Sequence, residues 1–121
     1  HTKARKEAEA SECAAELGGN TVFWKYLDTI MERTAAGGTG FALDQLAPLA
    51  KEIGLNEAKF QQCLDSGKYA AKIQQDMAEG GQAGVTGTPG TVLLTRSGET
   101  TVISGAQPID QVKATVDRYL K

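Results

Sequence analysis

Residues 84–94 contain the most informative stretch of the chain, Gly84-Val85-Thr86-Gly87-Thr88-Pro89-Gly90-Thr91-Val92-Leu93-Leu94. A run of small residues leads to Thr88-Pro89, and an apolar segment rich in β-branched side chains follows at once. Proline has no N–H and cannot lie inside a strand ladder, so Pro89 indicates a turn at the start of a strand. An X-Pro bond is also the usual place for a cis peptide, although trans is the commoner state of such bonds.

The segments that follow this stretch predict a β-hairpin and a final helix. Residues 91–95 and 100–104 flank Arg96-Ser97-Gly98-Glu99, whose glycine suits a tight turn. Pro108 fits the first turn of the last helix. Apolar side chains recur at helical spacing in that helix and predict a buried face, formed by Ile109, Val112, Val116, Tyr119 and Leu120.

Five helices are predicted before the hairpin, from apolar residues spaced at i, i+3, i+4 and i+7. Glycine pairs at 18–19 and 80–81 predict two of the helix ends, and Asn56 predicts an N-cap. Pro48 removes a helical hydrogen bond, so the third helix either starts later than residue 43 or is kinked. The predicted spans are 2–17, 21–33, 43–53, a short helix after Asn56, and a helix that ends near residue 79.

The composition is that of one ordinary globular domain or part of one. The chain has 121 residues, 40% of them hydrophobic and 23% charged, with a net charge of −2. The cations are scattered, which argues against a nucleic-acid or membrane-surface partner. No apolar run approaches the roughly 20 residues that a transmembrane helix needs, so no membrane insertion is expected.

Two cysteines, Cys13 and Cys63, are the only ones in the chain, and no Cys-x-x-Cys motif is present. Their spacing is too wide for a redox or chelating motif, and the single histidine, His1, is too little to complete a metal site. The pair is compatible with a disulfide in an exported protein or with two buried thiols. Neither cysteine has an obvious neighbouring cation, which favours a structural role over a redox role.

The beginning of the chain predicts a processed, trimmed or partial polypeptide. The sequence starts at His1 and enters charged helical sequence directly, with no apolar signal region. His1 is terminal and has no nucleophile nearby in sequence, so it is not expected to act as a catalytic base.

The strand at 91–94 is apolar, and a two-stranded hairpin alone is only marginally stable in water. A further strand is therefore expected, from a missing segment or from another molecule.

The order of several segments resembles the DsbA-like group of thioredoxin-fold disulfide oxidoreductases. The resemblance covers essentially the whole chain, and its central part is the approach to Thr88-Pro89. The other matching segments are Ser11-Glu12-Cys13-Ala14-Ala15-Glu16, Phe23-Trp24-Lys25-Tyr26-Leu27-Asp28, Ala50-Lys51-Glu52-Ile53-Gly54-Leu55, Phe60-Gln61-Gln62-Cys63-Leu64-Asp65-Ser66-Gly67-Lys68-Tyr69 and Ile103-Ser104-Gly105-Ala106-Gln107-Pro108.

The resemblance implies an α+β fold that is a partial thioredoxin-like fold. Residues 1–83 would form the helical insertion domain, and residues 84–121 the C-terminal half of the thioredoxin-like domain with its proline loop, hairpin and helix. The half that carries the redox cysteines in the family has no counterpart here. One departure is Gly90, where bulkier residues are frequent in the family and where glycine is expected to loosen the start of the strand.

The resemblance also implies roles for individual residues. The Thr88–Pro89 bond would be cis, and Gly87, Thr88 and Pro89 would bind an extended polypeptide substrate through the backbone of Thr88. Cys13 and Cys63 would form a structural disulfide between two helices of the insertion. No residue of this chain is expected to be catalytic, and no cofactor or metal is implied.

The implied function is part of a thiol-disulfide oxidoreductase that acts on exported proteins in a periplasmic or other extracytoplasmic compartment. Because the redox cysteines are absent, we expect the chain alone to be inactive. An alternative is a non-catalytic module for peptide binding or self-association, which would use the proline loop and the open strand edge. Its partners would be an extended polypeptide, the missing N-terminal half, or a second copy at that edge.

Overall fold

The computed structural model describes residues 2–35 and 39–120. His1 and the centre of the predicted 35–40 loop lie outside the described residues. The helices are α1 (Ala4–Arg33), α2 (Leu46–Glu52), α3 (Glu57–Ser66), α4 (Ala70–Gln82) and α5 (Ile109–Tyr119), and the strands are β1 (Gly90–Leu94) and β2 (Thr100–Ser104). The α+β class predicted from the sequence is confirmed.

The first two predicted helices form α1, which is interrupted at Gly19. The backbone of Gly19 has φ 77° and ψ −175°, and helical geometry resumes directly after it. A positive φ of this kind costs little only for glycine, so the glycine pair produces a break inside one long element instead of a loop. Tyr26 and Ile30 after the break, like Cys13 before it, are buried in the core.

Pro48 is accommodated because α2 starts late. A 3-10 turn at Leu43–Gln45 leads into α2 (Leu46–Glu52), which places Pro48 in the first turn, where a backbone N–H has no helical acceptor. The Asn56 side chain caps α3 by accepting a hydrogen bond from the Lys59 amide at 2.9 Å. Gly67 ends α3 in the left-handed conformation.

The predicted end of the fifth helix at residues 80–81 is wrong, because α4 continues to Gln82. The Val85 N–H donates to the Gly80 carbonyl and the Gly84 N–H donates to the Gly81 carbonyl, at 2.9 and 3.0 Å. Gly84 has φ +89°, so this pair of bonds is a Schellman motif that ends the helix. Two glycines inside a helix weaken it without stopping it, whereas the left-handed glycine stops it.

The two strands form an antiparallel hairpin in which Val92 lies opposite Val102. The Thr95 N–H donates to the Glu99 carbonyl at 2.9 Å, and Gly98 takes a positive φ in the turn between them. This is a three-residue hairpin loop that requires a left-handed residue, and Gly98 supplies it. The predicted hairpin is confirmed, with β1 both starting and ending one residue earlier, at Gly90 and Leu94.

The chain forms two compact units that divide between Gln74 and Gln75, within α4. The buried residues all lie in the first unit, between Ala10 and Leu64, and none of the described residues from 75 to 120 is buried.

The predicted buried face of α5 is therefore wrong for this chain: Ile109, Tyr119 and Leu120 are 64%, 39% and 75% exposed. One hairpin and one helix do not provide enough surface to cover these side chains. The boundary at 83/84 between an insertion domain and a thioredoxin half stays a prediction.

Candidate functional site: the proline loop and its strand

The proline loop, residues 84–89, connects the end of α4 to β1. Its Thr88–Pro89 peptide bond is cis. Gly87, Thr88 and Pro89 are all exposed, whereas the Val85 side chain is half-buried. The Pro89 carbonyl accepts a hydrogen bond from the Gly105 N–H at 2.9 Å, which ties the end of the loop to the segment that follows β2. The three residues assigned to substrate binding from the sequence thus form one accessible surface.

Close packing against the hairpin positions this loop. A β-carbon on Gly90 would lie 2.6 Å from Val85 Cγ1 and 3.0 Å from the Gly87 carbonyl oxygen, both of which belong to the loop. At the other end, a β-carbon on Gly84 would lie 3.3 Å from Val102 of β2. This close packing argues against the expectation that Gly90 loosens the start of the strand. Glycine at this position lets the loop approach the strand more closely than any other residue would allow.

The outer edge of β1 continues the surface of the proline loop. The backbones of Pro89 and Thr95 form hydrogen bonds with the residues that flank β2. Hydrogen-bonded and non-hydrogen-bonded pairs alternate along an antiparallel ladder, so the backbone N–H and C=O groups of Gly90, Val92 and Leu94 point away from β2. Within the described residues, β1 has no other strand partner. Val92 is 40% exposed and Leu94 is 70% exposed. An extended polypeptide can add to such an edge through main-chain hydrogen bonds.

The two cysteines are brought together in the first unit. Cys13 of α1 and Cys63 of α3 form a disulfide whose Cα atoms are 5.9 Å apart, within the range that a bridge requires. Cys13 is 1% exposed and Cys63 is 7% exposed. The bond joins α1 to α3 through two cysteines that are 50 residues apart in sequence, and it lies in the hydrophobic core. It therefore cross-links the helical unit.

A polar groove lies beside Cys63. Glu16, Leu17, Lys59, Gln62, Ser66 and Lys68 line it together with Cys63. Glu16 forms an ion pair with Lys68 and accepts a hydrogen bond from the Tyr69 hydroxyl at 2.6 Å. The hydrogen bonds from Lys68 and Tyr69 hold the pKa of Glu16 below its usual range. The bond between Tyr69 and Glu16 also raises the pKa of Tyr69 to about 12. Glu16 is therefore a carboxylate at neutral pH.

The groove corrects one expectation and shows residues that the sequence analysis missed. Cys63 does have cations nearby, because Lys59 and Lys68 line the same groove. Lys59 precedes Cys63 by four residues in α3, a spacing that places two side chains on one helix face and could have indicated this neighbourhood. The contact between Val85 and Gly90 was also missed, and no local pattern indicates it. The cysteine pair and the proline loop belong to different compact units.

The described residues contain no cluster of side chains suited to holding a metal ion. In the part of the chain that the structure describes, none of the helices has the length and apolar character needed to cross a bilayer. Comparison with curated proteins and with solved structures gave no significant match. The model of the DSBA-like thioredoxin domain family matches residues 5–117, which include both cysteines and the proline loop. The chain therefore belongs to the DSBA-like thioredoxin domain family.

Proposed function

We propose that this chain is part of a thiol-disulfide oxidoreductase that acts on exported proteins, and that it contributes polypeptide binding without the redox cysteines. The family match over residues 5–117, in a sequence whose two cysteines are bonded to each other and form no Cys-x-x-Cys, carries this proposal. Exchange with a protein substrate passes through a mixed disulfide between substrate and enzyme. A Cys-x-x-Cys pair outside this chain would form that mixed disulfide.

In this proposal Gly87, Thr88 and Pro89 hold the substrate polypeptide. All three are exposed, and the contact of Val85 with Gly90 packs the loop against β1. The Thr88 N–H and C=O would pair with an extended segment of the substrate, in the manner of strand addition. Backbone pairing of this kind is independent of substrate sequence, which suits an enzyme that acts on many unfolded proteins.

An extracytoplasmic location is part of the same proposal. Disulfides persist in oxidising compartments such as the periplasm, and Cys13 and Cys63 are paired here. Members of the DsbA-like family are typically exported. We expect the protein to be found outside the cytoplasm with this bond formed.

Peptide titration followed by backbone amide NMR tests the binding role. An extended peptide should shift the amide signals of Gly87 and Thr88 and leave those of α3 unchanged. The matched control is the same peptide with alternate amide nitrogens methylated, which removes the hydrogen bonds that strand addition needs. We expect the methylated peptide to bind at least about tenfold more weakly. Equal binding of both peptides, or shifts confined to other residues, would contradict the role of the loop.

A second candidate function is that of a non-catalytic association module. Two observations on the described residues favour it: β1 has no strand partner on its outer edge, and none of residues 75–120 is buried. An exposed apolar edge is normally paired or protected. Here a strand from an N-terminal half outside this sequence, a peptide or a second copy of the chain would pair with it.

Sedimentation equilibrium of the chain and of the variant L94K tests pairing of the edge with a second copy. A lysine on an edge strand opposes pairing, so a module that self-associates should be a dimer or larger as wild type and become monomeric in L94K. The exposed α5 residue Gln111 provides the matched control Q111K, which adds the same charge and should leave association unchanged. A sharp monomer for the wild type would exclude self-association.

A further inference from the structure

We propose that the groove beside Cys63 is a docking site for a small anionic thiol, and that exchange there places the thiol on Cys63 and releases Cys13. The inference goes beyond the proposed function, which assigns the cysteines only a cross-linking role. It rests on two features of the first unit: unequal access to the two cysteines and the charge of the groove beside Cys63.

Access to the disulfide is one-sided. Both cysteines belong to the hydrophobic core, but Cys63 lines the groove and is 7% exposed, whereas Cys13 is not among the lining residues and is 1% exposed. The rate of thiol-disulfide exchange depends on which sulfur the attacking thiolate can reach. A groove of about 350 Å³ has room for a small molecule. We therefore assign the attack to the sulfur of Cys63.

The charge of the groove favours an anion. Lys59 and Lys68 both line it, and Glu16 is the acidic residue among its lining. Glu16 pairs with Lys68 and also accepts the Tyr69 hydroxyl, so its charge is already matched within the groove. Lys59 forms no ion pair with any of the described residues. One ammonium group is thus left to attract a carboxylate of the incoming thiol and to favour its thiolate form.

The exchange step needs no oxidant. The thiolate sulfur attacks the sulfur of Cys63, a new S–S bond forms, and the Cys13–Cys63 bond breaks with its electron pair on Cys13. The Cys13 thiolate then takes a proton from solvent. The attacking sulfur is oxidised and Cys13 is reduced, so electrons balance, and the co-reactant is the small thiol itself. The product has lost the cross-link between α1 and α3.

Trapping the exchange product of the wild-type chain tests the site of attack. The oxidised protein is incubated with reduced glutathione, a tripeptide thiol with two carboxylates, and sampled rapidly into acid and then alkylating agent. Peptide mapping by mass spectrometry should find glutathione on Cys63 and the alkyl group on Cys13. Glutathione on Cys13, an even distribution, or no adduct on either cysteine would overturn the proposal.

Charge dependence tests the docking site. K59Q should slow the attachment of glutathione by about threefold, the effect of one unit charge acting across several ångströms of water. It should not slow cysteamine, a cationic thiol. K113Q, at an exposed lysine of α5, is the matched control and should leave both rates unchanged. Equal slowing of glutathione and cysteamine by K59Q, or equal effects of K59Q and K113Q, would refute a role for the groove cation.

Single-cysteine variants give an independent measurement. With a chromogenic aromatic disulfide that carries carboxylates, the free Cys63 of C13S should react at least about tenfold faster than the free Cys13 of C63S, because only Cys63 opens to the groove. Circular dichroism establishes that each variant is folded. Where one variant does not fold, the trapping experiment on the wild-type chain decides alone. Equal reactivity of two folded variants would contradict the one-sided access.

Discussion

Val85 of the proline loop lies against Gly90 of β1, in the space that a β-carbon on Gly90 would occupy. Val85 Cγ1 and this β-carbon would be 2.6 Å apart, which is too close for two carbon atoms that are not bonded to each other. This contact keeps the loop on the hairpin and leaves Gly87, Thr88 and Pro89 exposed above it. The position of the candidate binding surface therefore depends on a glycine outside that surface.

The variant G90A should loosen the hairpin. The added methyl group displaces Val85 or the strand, at a cost of about 1–2 kcal/mol. Hydrogen exchange of the Gly105 amide, which bonds to the Pro89 carbonyl, should become about tenfold faster. The control is G80A, where an added β-carbon meets nothing within 4 Å and a helix former replaces glycine in α4. An unchanged exchange rate in G90A would mean that the contact does not hold the loop.

Removing the disulfide should destabilise the helical unit. The bond closes a loop of 50 residues, for which chain entropy predicts about 4 kcal/mol. The double variant C13A/C63A should therefore have a free energy of unfolding lower by about that amount, measured by urea denaturation with far-ultraviolet circular dichroism. Reductant should have no effect on the double variant. A loss below about 1 kcal/mol would show that the cross-link is not a major source of stability.

The cap of α3 is a smaller and separate contribution. The Asn56 side chain accepts the Lys59 amide at 2.9 Å, and replacing such a cap with alanine costs about 1 kcal/mol. N56A should lower the urea midpoint accordingly, and N56D, which keeps an acceptor at this position, should stay close to wild type. If N56A and N56D are equally destabilised, the hydrogen bond is not the cause.

Tyr26 makes a buried hydrogen bond that should be costly to remove. Its side chain is fully buried, its ring centroid lies 5.3 Å from that of Phe60, and its hydroxyl donates to the Leu46 carbonyl at 2.8 Å. Y26F removes this buried hydrogen bond and should cost about 1.5 kcal/mol. Y69F loses a hydroxyl bond at an exposed carboxylate and should cost less than about 1 kcal/mol. Equal losses in the two variants would contradict this account.

Stability should also fall in alkali, partly through Tyr26. Burial raises the pKa of Tyr26 well above its usual 10.0, and the charge of Glu7 raises it further. The native state then keeps a proton that the unfolded chain loses, so the contribution of Tyr26 is complete below pH 10 and declines as the pH rises above it. Denaturation at pH 9 and pH 11 should show a smaller decline for Y26F than for the wild type. Identical declines would mean that Tyr26 is not the group responsible.

Local signals in the sequence predicted much of the fold. The cap at Asn56 and the turn at Gly98 each depend on one residue and its immediate neighbours, and both are confirmed. The helix end predicted at Gly18-Gly19 is instead a break within α1 at Gly19. The end of α4 was placed too early because Gly80-Gly81 looked like the stop, whereas the backbone reverses only at Gly84. A glycine stops a helix only where the chain takes a positive φ, and the sequence does not specify which glycine does so.

Contacts between segments were harder to predict. The packing of Val85 on Gly90 depends on the angle at which the loop approaches the strand, and neither residue has a distinctive pattern around it. The exposure of Tyr119 and Leu120 was missed because periodicity predicts an apolar face and does not show whether anything covers it. The groove beside Cys63 combines residues of α1, of α3 and of the turn after α3, so helical spacing indicates only the part of it that α3 contributes, such as Lys59 beside Cys63.

The central claim is that this chain binds polypeptide but does not itself catalyse disulfide exchange on proteins. The direct test is insulin reduction by dithiothreitol, with the purified chain and with its C13A/C63A variant. The account predicts that neither protein raises the rate above the uncatalysed reaction. A rate for the wild type that clearly exceeds that background and is lost in the double variant would contradict the claim, because Cys13 or Cys63 would then be a catalytic residue.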